Sequence, residues 1–181
     1  MSVGSVMAST ETDGWMLLHR GRVLTEQYFG EMAPGSQHLL MSMSKSLIAA
    51  VAGALCDSGV LDAEAQLTGY LPELADTGYA GATVRDLLDM RSGIEFSEDY
   101  LDPLAGIRML EQAIGWSPSK APGPTGMYPY LSTLRRKTAH GGVFEYRSCE
   151  TDMLGWVCEA AAGSTMPELM SDLVWGKIGA E

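Results

Sequence analysis

Ser42-Met43-Ser44-Lys45-Ser46-Leu47-Ile48-Ala49-Ala50-Val51-Ala52-Gly53-Ala54-Leu55 sets a serine and a lysine three apart at the mouth of a long apolar run. Residues three apart on an α-helix share a face, so the Ser42 hydroxyl and the Lys45 amine can meet. A helix start adds unpaired backbone N–H groups and the positive end of the macrodipole. Both favour loss of the serine proton and stabilise an oxyanion beside it. A free serine is a weak nucleophile and needs such help. The spacing therefore points to a covalent serine hydrolase, against the plainer reading of an N-cap serine beside a solvated lysine.

Around this stretch the chain alternates between two textures. Leu47, Ile48, Val51, Ala52 and Leu55 recur at helical spacing and Gly59 supplies a stop, which predicts a helix over 42–57. Upstream, 15–19 and 23–28 read as strands joined by a turn at Arg20-Gly21, a β-hairpin. From 61 to 142 short helices and loops take over. Thr83 and Asp86 cap a helix over 83–90 that Gly93 ends, Pro103 opens one over 102–116, and the prolines of 118–129 mark a loop. Helices follow over 151–162, stopped by Gly163, and from the Thr165/Glu168 capping box to about Gly176. Two strands against several helices leave the hairpin without sheet partners, and a lone hairpin is marginal in water.

Composition narrows the function. At 181 residues, 46% of them hydrophobic and 19% charged, the chain can bury a core as one domain. A net charge of −11 argues against nucleic acid or an anionic membrane as partner. Residues 1–10 lack the basic and apolar regions of a signal peptide, and no apolar run approaches the ~20 residues of a membrane span. Cys56, Cys149 and Cys158 fit no C-x-x-C pattern and read as reduced, mostly buried thiols of a cytoplasmic protein. His19, His38 and His140 stand apart, without metal-ligand spacing. There is no G-x-S-x-G elbow, no P-loop and no G-x-G-x-x-G, so the expected cofactor set is empty.

Serine–lysine spacing alone is cheap. With 16 serines and 4 lysines, roughly a third of a chance match is expected per chain. A second copy indeed occurs at Ser117-Pro118-Ser119-Lys120, but the Pro-rich run behind it cannot continue a helix. The Ser42 copy has better context. Glu145-Tyr146-Arg147-Ser148 supplies a tyrosine just before a predicted helix, about a hundred residues on.

Ser42-Met43-Ser44-Lys45, Thr83-Val84-Arg85-Asp86-Leu87-Leu88-Asp89-Met90-Arg91-Ser92-Gly93 and Tyr146-Arg147-Ser148, in that order, resemble the serine β-lactamase and penicillin-binding-protein superfamily. The nearest branch is that of class C-like esterases and aminohexanoate-oligomer hydrolases. The resemblance implies an α+β, β-lactamase-like fold. It implies Ser42 as the acylated nucleophile, Lys45 as the group that holds or relays its proton, and Tyr146, as tyrosinate, as general base and then acid. Ser148, at the third position of the tyrosine motif, would hydrogen-bond within the network, and the backbone N–H of Ser42 would form half of an oxyanion hole.

The family's third motif, Lys/His-Thr/Ser-Gly on a later strand, has no counterpart after Tyr146. Lys137-Thr138-Ala139-His140-Gly141-Gly142 precedes the tyrosine and reads as a loop. The expectation is thus one incomplete domain, cut off near Glu181, with C-terminal strands of the sheet missing. Its parts are 1–60 (hairpin and nucleophile helix), 61–145 (helical) and 146–181 (tyrosine motif and last helices).

Glu98-Asp99-Tyr100 and Asp102 read as a solvated loop, a lid over the pocket, with Tyr100 as a substrate contact; Arg135-Arg136-Lys137 reads as a solvated charge run. The leading expectation is a serine hydrolase acting on a small ester or amide through Ser42. The alternative is a truncated, silent relative whose open hairpin edges make it self-associate. A peptidoglycan role fits poorly with a chain that shows no export signal.

Overall fold

The computed structural model describes residues 2–119 and 122–179. The chain forms two compact units, divided between Met41 and Ser42.

The first unit opens with α1 (Val3–Ser9), capped by reciprocal hydrogen bonds between Ser2 and Ser5. Strands β1 (Gly14–His19) and β2 (Arg22–Tyr28) then form a two-stranded antiparallel sheet. Arg20 and Gly21 both take positive φ, 50° and 73°, the turn whose twist matches that of the flanking strands. Trp15 pairs with Gln27 and Leu17 with Thr25, but Leu18 pairs with Val23, so Leu24 is left over as a bulge. Trp15 Nε1 donates to Gln27 Oε1 at 3.1 Å across the strands. None of the described side chains of this unit is buried, and Met16, Leu17, Leu18, Val23 and Leu24 are all exposed.

The second unit holds the core. A 3-10 turn over Met41–Met43 runs into α2 (Ser44–Asp57), so Ser42 sits in the turn rather than the helix proper. Met41 has φ 48°, a strained conformation for a side chain of its kind, immediately before the serine. Val51, Ala52 and Leu55 are buried as the periodicity predicts, while Leu47 and Ile48 are half-buried. The principal partner of α2 is α6 (Ser148–Ala162). Its Cys149, Met153, Leu154, Val157 and Cys158 join the same core.

Around this pair lie α3 (Val84–Leu88), α4 (Gly106–Ala113) and α5 (Met127–Leu131), all three touching α6. Tyr128 of α5 stacks on Trp156 of α6, ring centroids 4.4 Å apart and 3° from parallel. Helix α7 (Met166–Met170) and a π-helical turn over Ser171–Trp175 pack on α2, and α8 (Gly176–Ile178) follows. Two 3-10 turns, Leu67–Gly69 and Pro72–Asp76, bury Leu67 and Leu74. Among the described residues no strand follows Tyr28, and no helix is long and apolar enough to cross a membrane.

Further boundaries differ from the sequence reading. Helix α4 begins at Gly106, not at Asp102, because residues 102–105 close a turn: Asp102 Oδ1 accepts from Leu104 N–H at 2.9 Å and its carbonyl from Ala105 N–H at 3.1 Å. Pro103 lies in that turn. Helix α5 forms inside the expected loop, because Pro129 stands in the first turn, where an N–H has no helical partner to lose. Helix α6 starts three residues early, at Ser148, which brings it directly behind Tyr146. Lys120, in the second Ser-x-x-Lys copy, lies outside the described residues.

Candidate active site

Ser42 is exposed in the middle of its 3-10 turn and Lys45 is half-buried in the first turn of α2. Lys45 Nζ donates to Ser42 Oγ at 3.1 Å, the contact that the three-residue spacing predicts. From the far side of the sequence, the Tyr146 hydroxyl donates to the same Oγ at 2.7 Å. Lys45 Nζ also lies 5.4 Å from the centroid of the Tyr146 ring. The serine oxygen thus sits between the lysine nitrogen and the tyrosine hydroxyl, on an exposed residue.

Tyr100 and the backbone N–H of Ser148 meet on a different group, the Glu98 carboxylate. Tyr100 is half exposed and held from two sides: the Arg108 guanidinium stacks on its ring at 5.2 Å and donates twice to its carbonyl, while its hydroxyl donates to Glu98 at 3.0 Å. Burial is the main cause that raises the Tyr100 phenol above its usual value, followed by Glu98; the Tyr146 hydroxyl adds to the rise and the Ser148 side chain pulls it down. A cavity of about 320 Å³ adjoins Tyr100, lined also by Leu101, Arg108 and Glu111.

Glu98 corrects the sequence reading. It is half-buried, and its second oxygen accepts the backbone N–H of Ser148, the first residue of α6. Only Asp99, Tyr100 and Asp102 keep the solvent exposure expected of that loop. Asp152, one helical turn beyond Ser148, was not singled out by its residue type or spacing. Burial pushes its carboxyl up to about 6, with the Lys45 charge pulling it back and Glu98 adding to the rise.

Behind the tyrosine lies a buried ion network. Arg147 is 1% exposed and Glu150 fully buried. Arg147 Nη1 donates to Glu150 Oε1 at 3.0 Å, Nη2 pairs with Glu145, and Ser92 Oγ donates to Glu150 Oε1 at 2.8 Å. Tyr146 is therefore bracketed by two residues that one buried guanidinium ties down. Segment 137–142 is a loop, as read: Gly93 O accepts from the N–H groups of Lys137 and Thr138, and His140 bridges the carbonyls of Ala80 and Ser92. Gly93 has φ 69°, and a Cβ there would lie 2.6 Å from Thr138 O, so no other residue fits that crossing.

The Beta-lactamase family profile matches residues 5–181, nearly the whole chain. The chain belongs to the β-lactamase family. It is 38% identical over 175 residues to the 6-aminohexanoate-dimer hydrolase of Paenarthrobacter ureafaciens, covering 97% of this chain and 44% of that protein. Among solved structures, a candidate 6-aminohexanoate-dimer hydrolase from Bacillus anthracis superposes with TM-score 0.87 at 26% identity, over 99% of this chain and 47% of the other. A class C β-lactamase shares the fold alone, with TM-score 0.69 and 18% identity over 98% of this chain and 47% of its own. The chain thus spans about half the length of the relatives it matches. The α+β class and the β-lactamase-like arrangement of hairpin and helices agree with the sequence reading.

Proposed function

We propose that Ser42 is the nucleophile of an ester or amide hydrolase that works through an acyl-enzyme. The observation that carries this reading is the double hydrogen bond on Ser42 Oγ, from Lys45 at 3.1 Å and Tyr146 at 2.7 Å. In this scheme Tyr146, once deprotonated, takes the Ser42 proton along the 2.7 Å contact as Oγ bonds to the substrate carbonyl carbon. Lys45 stabilises the negative charge that passes between the two oxygens. The carbonyl–leaving-group bond then breaks and Tyr146 returns the proton to the departing nitrogen or oxygen. Water repeats the sequence to release the acid and free Ser42. The relative named for the 6-aminohexanoate dimer supports an amide between small aliphatic units as the substrate class, since two such units joined by condensation share an amide bond.

A fluorophosphonate probe tests the nucleophile directly. Wild type should be labelled at one site and Ser42→Ala not at all; equal labelling of both would end the proposal.

One observation favours the second reading, that the chain self-associates. Met16, Leu17 and Leu18 on β1 and Val23 and Leu24 on β2 are exposed, on a sheet of only two strands. Exposed apolar strands with open edges recruit further strands. Sedimentation velocity should then show concentration-dependent oligomers that Leu18→Lys with Leu24→Lys removes. A wild-type monomer at all concentrations would exclude it.

A further inference from the structure

Helix α6 begins without a cap of its own. Its N-cap residue is Arg147, which makes no capping hydrogen bond through its side chain and is not among the residue types that cap well. Ser148 N–H would be an orphan donor, yet it is satisfied from fifty residues away by Glu98 Oε1. The other oxygen of the same carboxylate accepts the Tyr100 hydroxyl at 3.0 Å. Glu98 is thus doubly committed: one oxygen fixes where α6 starts, two residues after Tyr146, and the other fixes how Tyr100 presents its hydroxyl. A carboxylate at a helix N-terminus is also in favourable register with the macrodipole.

We propose that Glu98 is a positioning residue, a clasp that holds Tyr100 and the first turn of α6 in one register with Tyr146. This rests on the acyl-enzyme reading above, in which the 2.7 Å Tyr146–Ser42 contact is the proton path. The clasp links the start of the helix behind Tyr146 to the Tyr100 hydroxyl through one carboxylate. It also sets the charge around Asp152. That carboxyl is faced by Lys45 from α2 and by Glu98 from the loop, with Tyr79 and Cys149 on its core side.

Glu98→Gln tests the clasp with little change of shape. An amide offers one acceptor and one donor, so it can keep Ser148 N–H only by turning its NH2 toward Tyr100, whose hydroxyl must then accept instead of donate. Fluorophosphonate labelling of Ser42 in the full chain should slow about 10- to 100-fold, the size of effect that small misplacements produce. Glu98→Ala should slow it at least as much, and should speed exchange of the Ser148 amide hydrogen more than tenfold while the middle of α6 stays protected.

The Glu98 charge gives a further readout, separate from its hydrogen bonds. Removing the Glu98 charge should move the Asp152 titration, followed by carboxyl 13C shifts, from about 6 to lower pH, because Glu98 is one cause of its rise. Wild-type labelling rates in Glu98→Gln would overturn the clasp whether or not the Asp152 titration moves. If wild type itself fails to label, the acyl-enzyme reading falls, and exchange of the Ser148 amide hydrogen still decides the clasp. Should Glu98→Ala not fold, the Glu98→Gln measurements stand alone.

Discussion

Tyr146→Phe is expected to slow acylation of Ser42 by about two to four orders of magnitude, the usual worth of a positioned acid–base group. The ring is kept and only the oxygen that meets Ser42 Oγ at 2.7 Å is lost. Tyr146 is 40% exposed, so removing its hydroxyl leaves no buried orphan and folding should be unaffected. Lys45→Ala is expected to fall in the same range, since Lys45 Nζ reaches the same oxygen at 3.1 Å.

The decisive comparison is the double variant. Groups that act as a unit lose little more together than singly, so Lys45→Ala with Tyr146→Phe should be about as slow as the slower single variant. Single-turnover release of p-nitrophenol from an activated ester measures all three. A Tyr146→Phe rate within threefold of wild type would remove the tyrosine from the proposal. Strictly multiplicative losses would mean that lysine and tyrosine serve separate steps.

The parts of this site that were legible in the sequence are those set by local periodicity. Ser42 and Lys45 meet because a helical turn brings residues three apart together, and a single turn of sequence contains that information. The turn at Arg20-Gly21 and the Thr83/Asp86 cap are local in the same sense. Tyr146 was found by its place in an ordered set of motifs; nothing near it in sequence says that it touches a serine a hundred residues earlier.

Glu98 was misread for a related reason. A carboxylate among Asp99, Tyr100 and Asp102 looks solvated until its hydrogen-bond partners are known, and one of the two, the Ser148 amide, lies fifty residues away. Because the sequence reading starts the helix at 151, the uncapped Ser148 amide that Glu98 serves shows only in the structure. Asp152 gave no signal at all, because its role depends on how α2 and α6 pack. Pro103 misled by a genuine preference for helix starts, which the Asp102 turn overrode.

The largest effect on stability is expected at Arg147. Its guanidinium is 1% exposed, bonded to Glu150 on α6 and to Glu145, with its Nε unpaired. A buried pair of this kind need not stabilise the fold, because desolvation opposes the attraction. Breaking it is different. Arg147→Met leaves the Glu150 carboxyl buried against Ser92 alone, which should cost about 3–5 kcal/mol, or roughly 6–20 °C in Tm for a chain of this size.

The pH dependence identifies the cause. Burial already pushes Glu150 above its ordinary value of 4.5, with Ser92 and Arg147 pulling it back. Without Arg147 the folded-state value rises further above the unfolded one. The folded state then favours the protonated acid, so stability is retained below about 4.5 and lost as pH climbs through the folded value. Arg147→Met should therefore recover part of its deficit relative to wild type as pH is lowered toward 4.5. Arg147→Met with Glu150→Leu should be more stable than Arg147→Met alone at pH 7, because the stranded acid is gone. Thermal unfolding of the three variants at both pH values decides the matter. A deficit independent of pH, with additive losses in the double variant, would mean that Arg147 acts by packing its stem and not by holding Glu145 and Glu150 around Tyr146.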